Sequence, residues 1–150
     1  KLINRNHTYE DFLKAVEMTA GKGIKICSHI VIGLPEETEN EILETAKECG
    51  RLKLDGIKIH PLYIVKGTKL EEMFVKGLYK PLTLEEYIKI TAKFIGHLWE
   101  ETVIQRLTAD CPPEMLVAPD WIKRKQSLIN LLEKKMKEAG INQGLFKYRF

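Results

Sequence analysis

Cysteine is scarce in this sequence and never clustered. Cys27, Cys49 and Cys111 are widely separated, odd in number and form no C-x-x-C pair. That argues against a secreted disulfide framework and for a reducing cytoplasm. Long apolar runs are also missing: nothing approaches the ~20 residues needed to cross a bilayer, and no signal peptide opens the chain. A soluble protein with no membrane partner is expected. Net charge is weak, at +3 over 150 residues, too little to imply a nucleic-acid partner by itself. The surplus sits at one end, where residues 121–150 carry eight Lys/Arg against two Glu and leave the first 120 residues at −3.

What is present suits a globular domain. The chain is 44% hydrophobic and 30% charged, ordinary for a unit large enough to bury a core. It starts at Lys1 rather than Met, and "KLINRN" reads as the inside of a longer chain, so a fragment is expected.

Four threonines are each followed three residues later by an acid: Thr8 and Asp11, Thr38 and Glu41, Thr68 and Glu71, Thr83 and Glu86. Such pairs satisfy amides that a helix start would otherwise leave unpaired, so each marks a helix. The first runs to about Ala20 with Phe12, Ala15, Val16 and Thr19 on one face, and the second to Gly50 with Ile42, Ala46 and Cys49 together. The third is short and ends near Gly77, and the fourth carries Leu84, Tyr87, Ile88, Thr91, Ile95 and Leu98. A later helix, from about Ile122 to Ala139, stripes Leu128, Ile129, Leu132 and Met136 against a basic face.

Two β-rich runs lie between these helices, "IKICSHIVIG" at 24–33 and "DGIKIHPLYIVKG" at 55–67. Alternation in the first puts Ile24, Ile26, Ser28, Ile30 and Ile32 on one face and Lys25, Cys27, His29, Val31 and Gly33 on the other. In the second, Ile57 and Ile59 oppose Lys58, His60 and Leu62. An intervening helix makes the two strands parallel neighbours in a βαβ unit. A parallel sheet is normally covered on both faces, so the face carrying His29, Lys58 and His60 is expected to border a polar cavity or another segment of protein. In α/β folds ligands gather where strands end at their carboxyl edge, and "GLPEET" is such an edge: Gly33 permits close approach, Pro35 stiffens the turn and Thr38 starts the return helix. Ordinary turn chemistry explains the same residues.

Read together, "HIVIGLPEET", "KIHPLYIVKGT", "VIQRLTAD" and Leu116-Val117-Ala118-Pro119-Asp120-Trp121 resemble the C-terminal half of a radical S-adenosylmethionine protein. The similarity is to the YhcC-like group, whose core is related to the Elongator catalytic subunit and to oxygen-independent coproporphyrinogen oxidase. The resemblance implies an α/β fold: the C-terminal portion of a partial (β/α)6 TIM-like barrel with parallel strands in residues 1–100, and an α-rich extension with a basic helix and tail in 101–150. It also implies S-adenosylmethionine and a [4Fe-4S] cluster as cofactors of the complete protein, with reductive cleavage yielding a radical that abstracts hydrogen from an unknown substrate. The family's fifth strand carries G-x-I-x-G-x-x-E against the adenine. Here His29 replaces the first glycine and Val31 the isoleucine, while Gly33 and Glu36 remain. By resemblance Val31, Gly33, Leu34 and Pro35 form the adenine wall, and Leu62, Tyr63 and Ile64 offer backbone groups to the adenine edge; Glu36 is left to orient the turn.

The family holds its cluster through a C-x-x-x-C-x-x-C loop, and soft thiolates suit iron–sulfur iron. That spacing is absent here, so no metal ligand is assigned, no cluster is expected in this chain alone, and the chain alone is expected to be inactive. Its partner would be the missing N-terminal half of the barrel. Cys27 and Cys49 read as small buried hydrophobes, with Cys111 in a loop. His29, Lys58 and His60 are candidates to bind substrate in the barrel lumen, although a strand histidine is more often simply hydrogen-bonded, and Arg106 is a candidate to point at an anionic group of substrate or else a surface strand arginine. His7 and His97 read as incidental. The tail "GINQGLFKYRF" interleaves aromatics with Lys147 and Arg149, which suits RNA contact by stacking and phosphate attraction, while terminal tails are often merely disordered. Two functions stand open: part of a radical enzyme acting on an unknown substrate, RNA among the candidates, or a stand-alone non-catalytic α/β module binding RNA or a protein.

Overall fold

The computed structural model describes residues 5–146. Helix α1 (Tyr9–Thr19) leads to strand β1 (Cys27–Ile32), helix α2 (Glu39–Arg51), strands β2 (Gly56–Pro61) and β3 (Ile64–Val65), and helices α3 (Lys69–Val75) and α4 (Leu84–His97). Strands β4 (Val103–Arg106) and β5 (Leu116–Ala118), a 3-10 turn at Asp120–Lys123 and helix α5 (Lys125–Glu138) complete it.

The expected helix starts are present with one variation. Thr8, Thr38 and Thr83 each head a reciprocal capping box with Asp11, Glu41 and Glu86. Thr68 accepts from the Glu71 amide, but the Glu71 carboxylate reaches past it to the Gly67 amide at 2.6 Å. The acid serves the turn before the helix instead of its cap.

Strands β1, β2 and β4 form one parallel sheet in the order β1-β2-β4, with Ile30 opposite Ile59 and Val31 opposite His60. One face is packed by α2 and α4, where Ile32, Ile57, Ile59, Ala46, Phe94 and Tyr87 are buried together with Leu128 and Leu132 of α5. The isoleucines are there because alternation sends them to the helix side. Residue 100 falls between α4 and β4, and β4 beyond it is the third strand of this same sheet.

Two expected strands are shorter than their sequence runs. The first begins at Cys27, so Ile24 is off the sheet and 64% exposed. The second is two strands: β2 ends at Pro61, and β3 turns away to pair antiparallel with β5 in a separate sheet. Proline donates no backbone hydrogen bond, which favours a break there. Helix α1 buries no residue fully, and among the described strands β1 pairs only with β2. No helix among the described residues is long and apolar enough to cross a membrane.

Candidate functional site

The "GLP" turn is held from both sides by side chains. Gly33 has φ +96, a conformation that strains any residue with a side chain. Its amide and that of Leu34 both donate to Glu37 Oε2 at 3.1 Å, and its carbonyl accepts from the Tyr79 hydroxyl at 2.8 Å. Burial pushes the Glu37 carboxyl above its ordinary range, against the lowering pull of those two amides. Burial also pushes the Tyr79 phenol up to about 12, with the Glu37 charge adding to it.

This corrects two assignments. A Cβ on Gly33 would lie 3.1 Å from Leu82 Cδ1, so Gly33 does not share the outward face of His29 and Val31 but backs onto Leu82. The acid that orients the turn is Glu37; Glu36 is exposed and itself has φ +66. Neither Glu37 nor Tyr79 was singled out in the sequence. A carboxylate four residues after the glycine was a legible signal for the first, whereas nothing local points to a tyrosine 46 positions away.

At the same carboxyl edge, the Leu62 amide donates to the Ile32 carbonyl at 2.9 Å, which sets the end of β2 beside the turn. The Tyr63 hydroxyl donates to the Asp110 carbonyl at 2.9 Å. Ile64 is fully buried and pairs with Ala118 in the second sheet. Leu34 and Pro35 are half-buried, while Val31 remains 39% exposed on the sheet face away from the helices.

That uncovered face gathers the four candidates for substrate binding. His29 stands opposite Lys58 in the β1–β2 register, and the His29 and His60 ring centroids are 5.8 Å apart. Arg106 stands opposite Lys58 on the other side. Burial lowers the pKa of His60, and the charges of Arg106, His29 and Lys58 lower it further. His97, by contrast, packs its ring at a tilt against Phe146, centroids 5.0 Å apart, and the Phe146 amide donates to the Gly96 carbonyl, so the tail is docked up to that residue. Lys147 and Arg149 lie outside the described residues.

Comparison with known families decides the class. The profile described as the radical SAM C-terminal domain matches residues 54–138, and that of the radical SAM superfamily matches residues 1–49. The chain belongs to the radical SAM superfamily. Relatives of this radical SAM chain include the uncharacterised YtqA of Bacillus subtilis, 33% identical over 99% of this chain and 46% of that protein. The Escherichia coli protein YhcC is 31% identical over 93% of this chain and 45% of that protein. The chain thus spans about half the length of these relatives. A tRNA uridine(34) acetyltransferase of Methanocaldococcus jannaschii is 35% identical over 94% of this chain and 26% of its own length. The solved structure of the archaeal Methanocaldococcus infernus Elp3, with an N-terminal deletion, superposes with TM-score 0.79 at 25% identity, covering 99% of this radical SAM chain and 37% of that one.

Complete radical SAM enzymes use S-adenosylmethionine and a [4Fe-4S] cluster, and the residues here fit the two unequally. An exposed aliphatic side chain beside a locked glycine turn at the carboxyl edge suits the adenine. The cluster finds no thiolate set: among the described residues no group of His, Cys, Asp and Glu could hold a metal ion. Cys49 is buried, and burial raises its thiol to about 12, far from the thiolate a ligand requires; Cys27 is only half-buried, less enclosed than expected.

Proposed function

We propose that this chain supplies the adenine-binding side of a radical SAM enzyme, with β1 and β2 as the fifth and sixth strands of a partial (β/α)6 barrel. The cluster and its C-x-x-x-C-x-x-C loop belong to the other half of that barrel, outside these 150 residues. When bound, the cluster supplies the electron that cleaves S-adenosylmethionine. The share of this chain is to seat the nucleoside and keep water from it. Val31 presents the apolar wall, Leu34 and Pro35 extend it, Glu37 and Tyr79 lock the turn between them, and Leu62 and Tyr63 border the adenine edge.

The observation that carries this reading is Val31, an exposed valine at the carboxyl end of a parallel strand, on the face that no helix among the described residues covers. Val31→Asp tests it in the protein assembled with its cluster-bearing half. Calorimetric titration with S-adenosylmethionine should show an affinity lower by about tenfold or more, equivalent to ~1.4 kcal/mol, with an unchanged melting temperature. Unchanged affinity in the folded variant would refute the adenine assignment and favour a non-catalytic binding module. Anaerobic reconstitution of the 150-residue chain alone is the second arm: stoichiometric iron and sulfide with a [4Fe-4S] absorption band would refute placing the cluster elsewhere.

A further inference from the structure

We infer that His29, Lys58, His60 and Arg106 form a phosphate-binding site on the uncovered sheet face, and that it takes a phosphoryl group of the substrate. The inference rests on that face lining the barrel lumen, as proposed above.

Register is the first support. Alternation alone puts His29 on the uncovered face of β1, and Lys58 and His60 on that of β2. Arg106 would not follow by alternation. Ile104 pairs with Ile57, so an unbroken register would set Gln105 beside Lys58 and send Arg106 to the helix side. Instead the register shifts, Gln105 becomes the extra residue of a bulge, and Arg106 stands opposite Lys58. Bulges commonly re-aim a side chain near functional sites. This one adds a guanidinium to a face that already carries an ammonium and two imidazoles.

Charge is the second support. The uncovered positions of the three strands carry no acid. Among the described residues neither His29 nor Lys58 has an ion-pair partner, and Arg106 has only Asp110, whose carboxylate lies 3.7 Å from Arg106 Nη1 and is also engaged by Lys125. Within the described residues the cluster is therefore nearly uncompensated; burial is the first cause of the lowered pKa of His60, and the charges of Arg106, His29 and Lys58 add to it. Among the described residues His60 has a hydrogen bond with the Thr108 backbone and Arg106 the long contact to Asp110, while the His29 and Lys58 side chains have no ion pair. A phosphate answers better than a single carboxylate, because it brings up to two charges and three acceptor oxygens to donors on three strands.

The test is an NMR titration of the histidine rings with inorganic phosphate, against chloride at equal ionic strength. Phosphate should raise the titration midpoint of His60 and shift the ring signals of His29. Lys58→Gln and Arg106→Gln should each weaken phosphate binding by about tenfold, the loss expected for one charged hydrogen bond. Arg106→Lys should recover part of it. Acetate at the same concentration should leave the rings largely unmoved. Superimposable curves in phosphate and chloride, or undiminished binding by folded Lys58→Gln and Arg106→Gln proteins, would overturn the inference. The outcome separates from that of Val31→Asp: phosphate binding with an unaltered S-adenosylmethionine affinity in that variant would keep this site and discard the adenine wall, and the reverse pattern would do the opposite.

Discussion

The phenol of Tyr79 donates to the carbonyl of Gly33 at 2.8 Å in a buried contact. With Glu37 holding the Gly33 amide, both backbone polar groups of that glycine are bound by side chains and neither depends on a strand ladder. The turn can leave the sheet abruptly because its hydrogen bonds are supplied from the side.

Tyr79→Phe keeps the ring and removes the donor. A buried carbonyl then loses its partner, which costs about 1–3 kcal/mol. Denaturant unfolding should report that loss as a lower midpoint with an unchanged slope. Since the phenol is pushed up to about 12, the difference between variant and parent should stay constant from neutral pH to mildly alkaline conditions. A stability equal to the parent's would mean that the Gly33 carbonyl finds another donor.

Substitution at Gly33 should damage the fold before it damages a ligand site. Gly33→Ala meets both a positive φ and a Cβ contact of 3.1 Å with Leu82. Backbone strain of this kind costs on the order of 1–3 kcal/mol. In a Leu82→Ala background the contact disappears and the strain remains, so the penalty for Gly33→Ala should shrink without vanishing. A penalty that vanishes there would make packing, and not φ, the reason for glycine.

The parallel β1–β2 pair, the capped helices and the inward isoleucines were legible because they follow from alternation and from side chains three residues apart. The register shift that brings Arg106 to Lys58 was not, since a bulge leaves no local mark in "VIQR". The split of residues 55–67 was hidden for a related reason: "IHPLYIV" has the composition of one strand, and only the pairing of Ile64 with Ala118 shows where the chain turns. Alternation put Val31 on the face away from the helices, where the structure has it, while its candidacy for the adenine wall came from the resemblance. The face of Gly33 was misjudged because alternation stops applying once φ becomes positive.

A second glycine is tied to close packing of helices. A Cβ on Gly50 of α2 would stand 2.2 Å from the His97 carbonyl oxygen at the end of α4, a backbone atom that cannot rotate away. Gly50→Ala should therefore force α2 and α4 apart, although alanine is the better helix former. Overpacking typically costs about 1–3 kcal/mol, and thermal melting should show a clear drop. An unchanged or raised melting temperature would show that the helices separate without loss.

The last prediction concerns Glu37 and pH. Its folded carboxyl is raised above the ordinary value of 4.5, first by burial, so the native state holds this proton more tightly than the unfolded chain does. The resulting contribution to stability is full below 4.5 and is lost as pH rises through the raised folded value. Glu37→Gln removes the titration and keeps the turn, because both amides donate to one oxygen, Oε2, which an amide carbonyl can replace. Near pH 4 the variant and the parent should unfold at similar denaturant concentrations. Towards pH 7 the parent should fall behind, since it alone must bury a charge. Glu37→Ala offers the contrast: it leaves the Gly33 and Leu34 amides without their acceptor and should be less stable at both pH values, by about 1–3 kcal/mol for each amide that water does not reach. Denaturation midpoints of the three proteins across this range decide the matter. A Gln variant whose difference from the parent is the same at pH 4 and pH 7 would place the titration of Glu37 in the ordinary carboxyl range and remove burial as its governing influence.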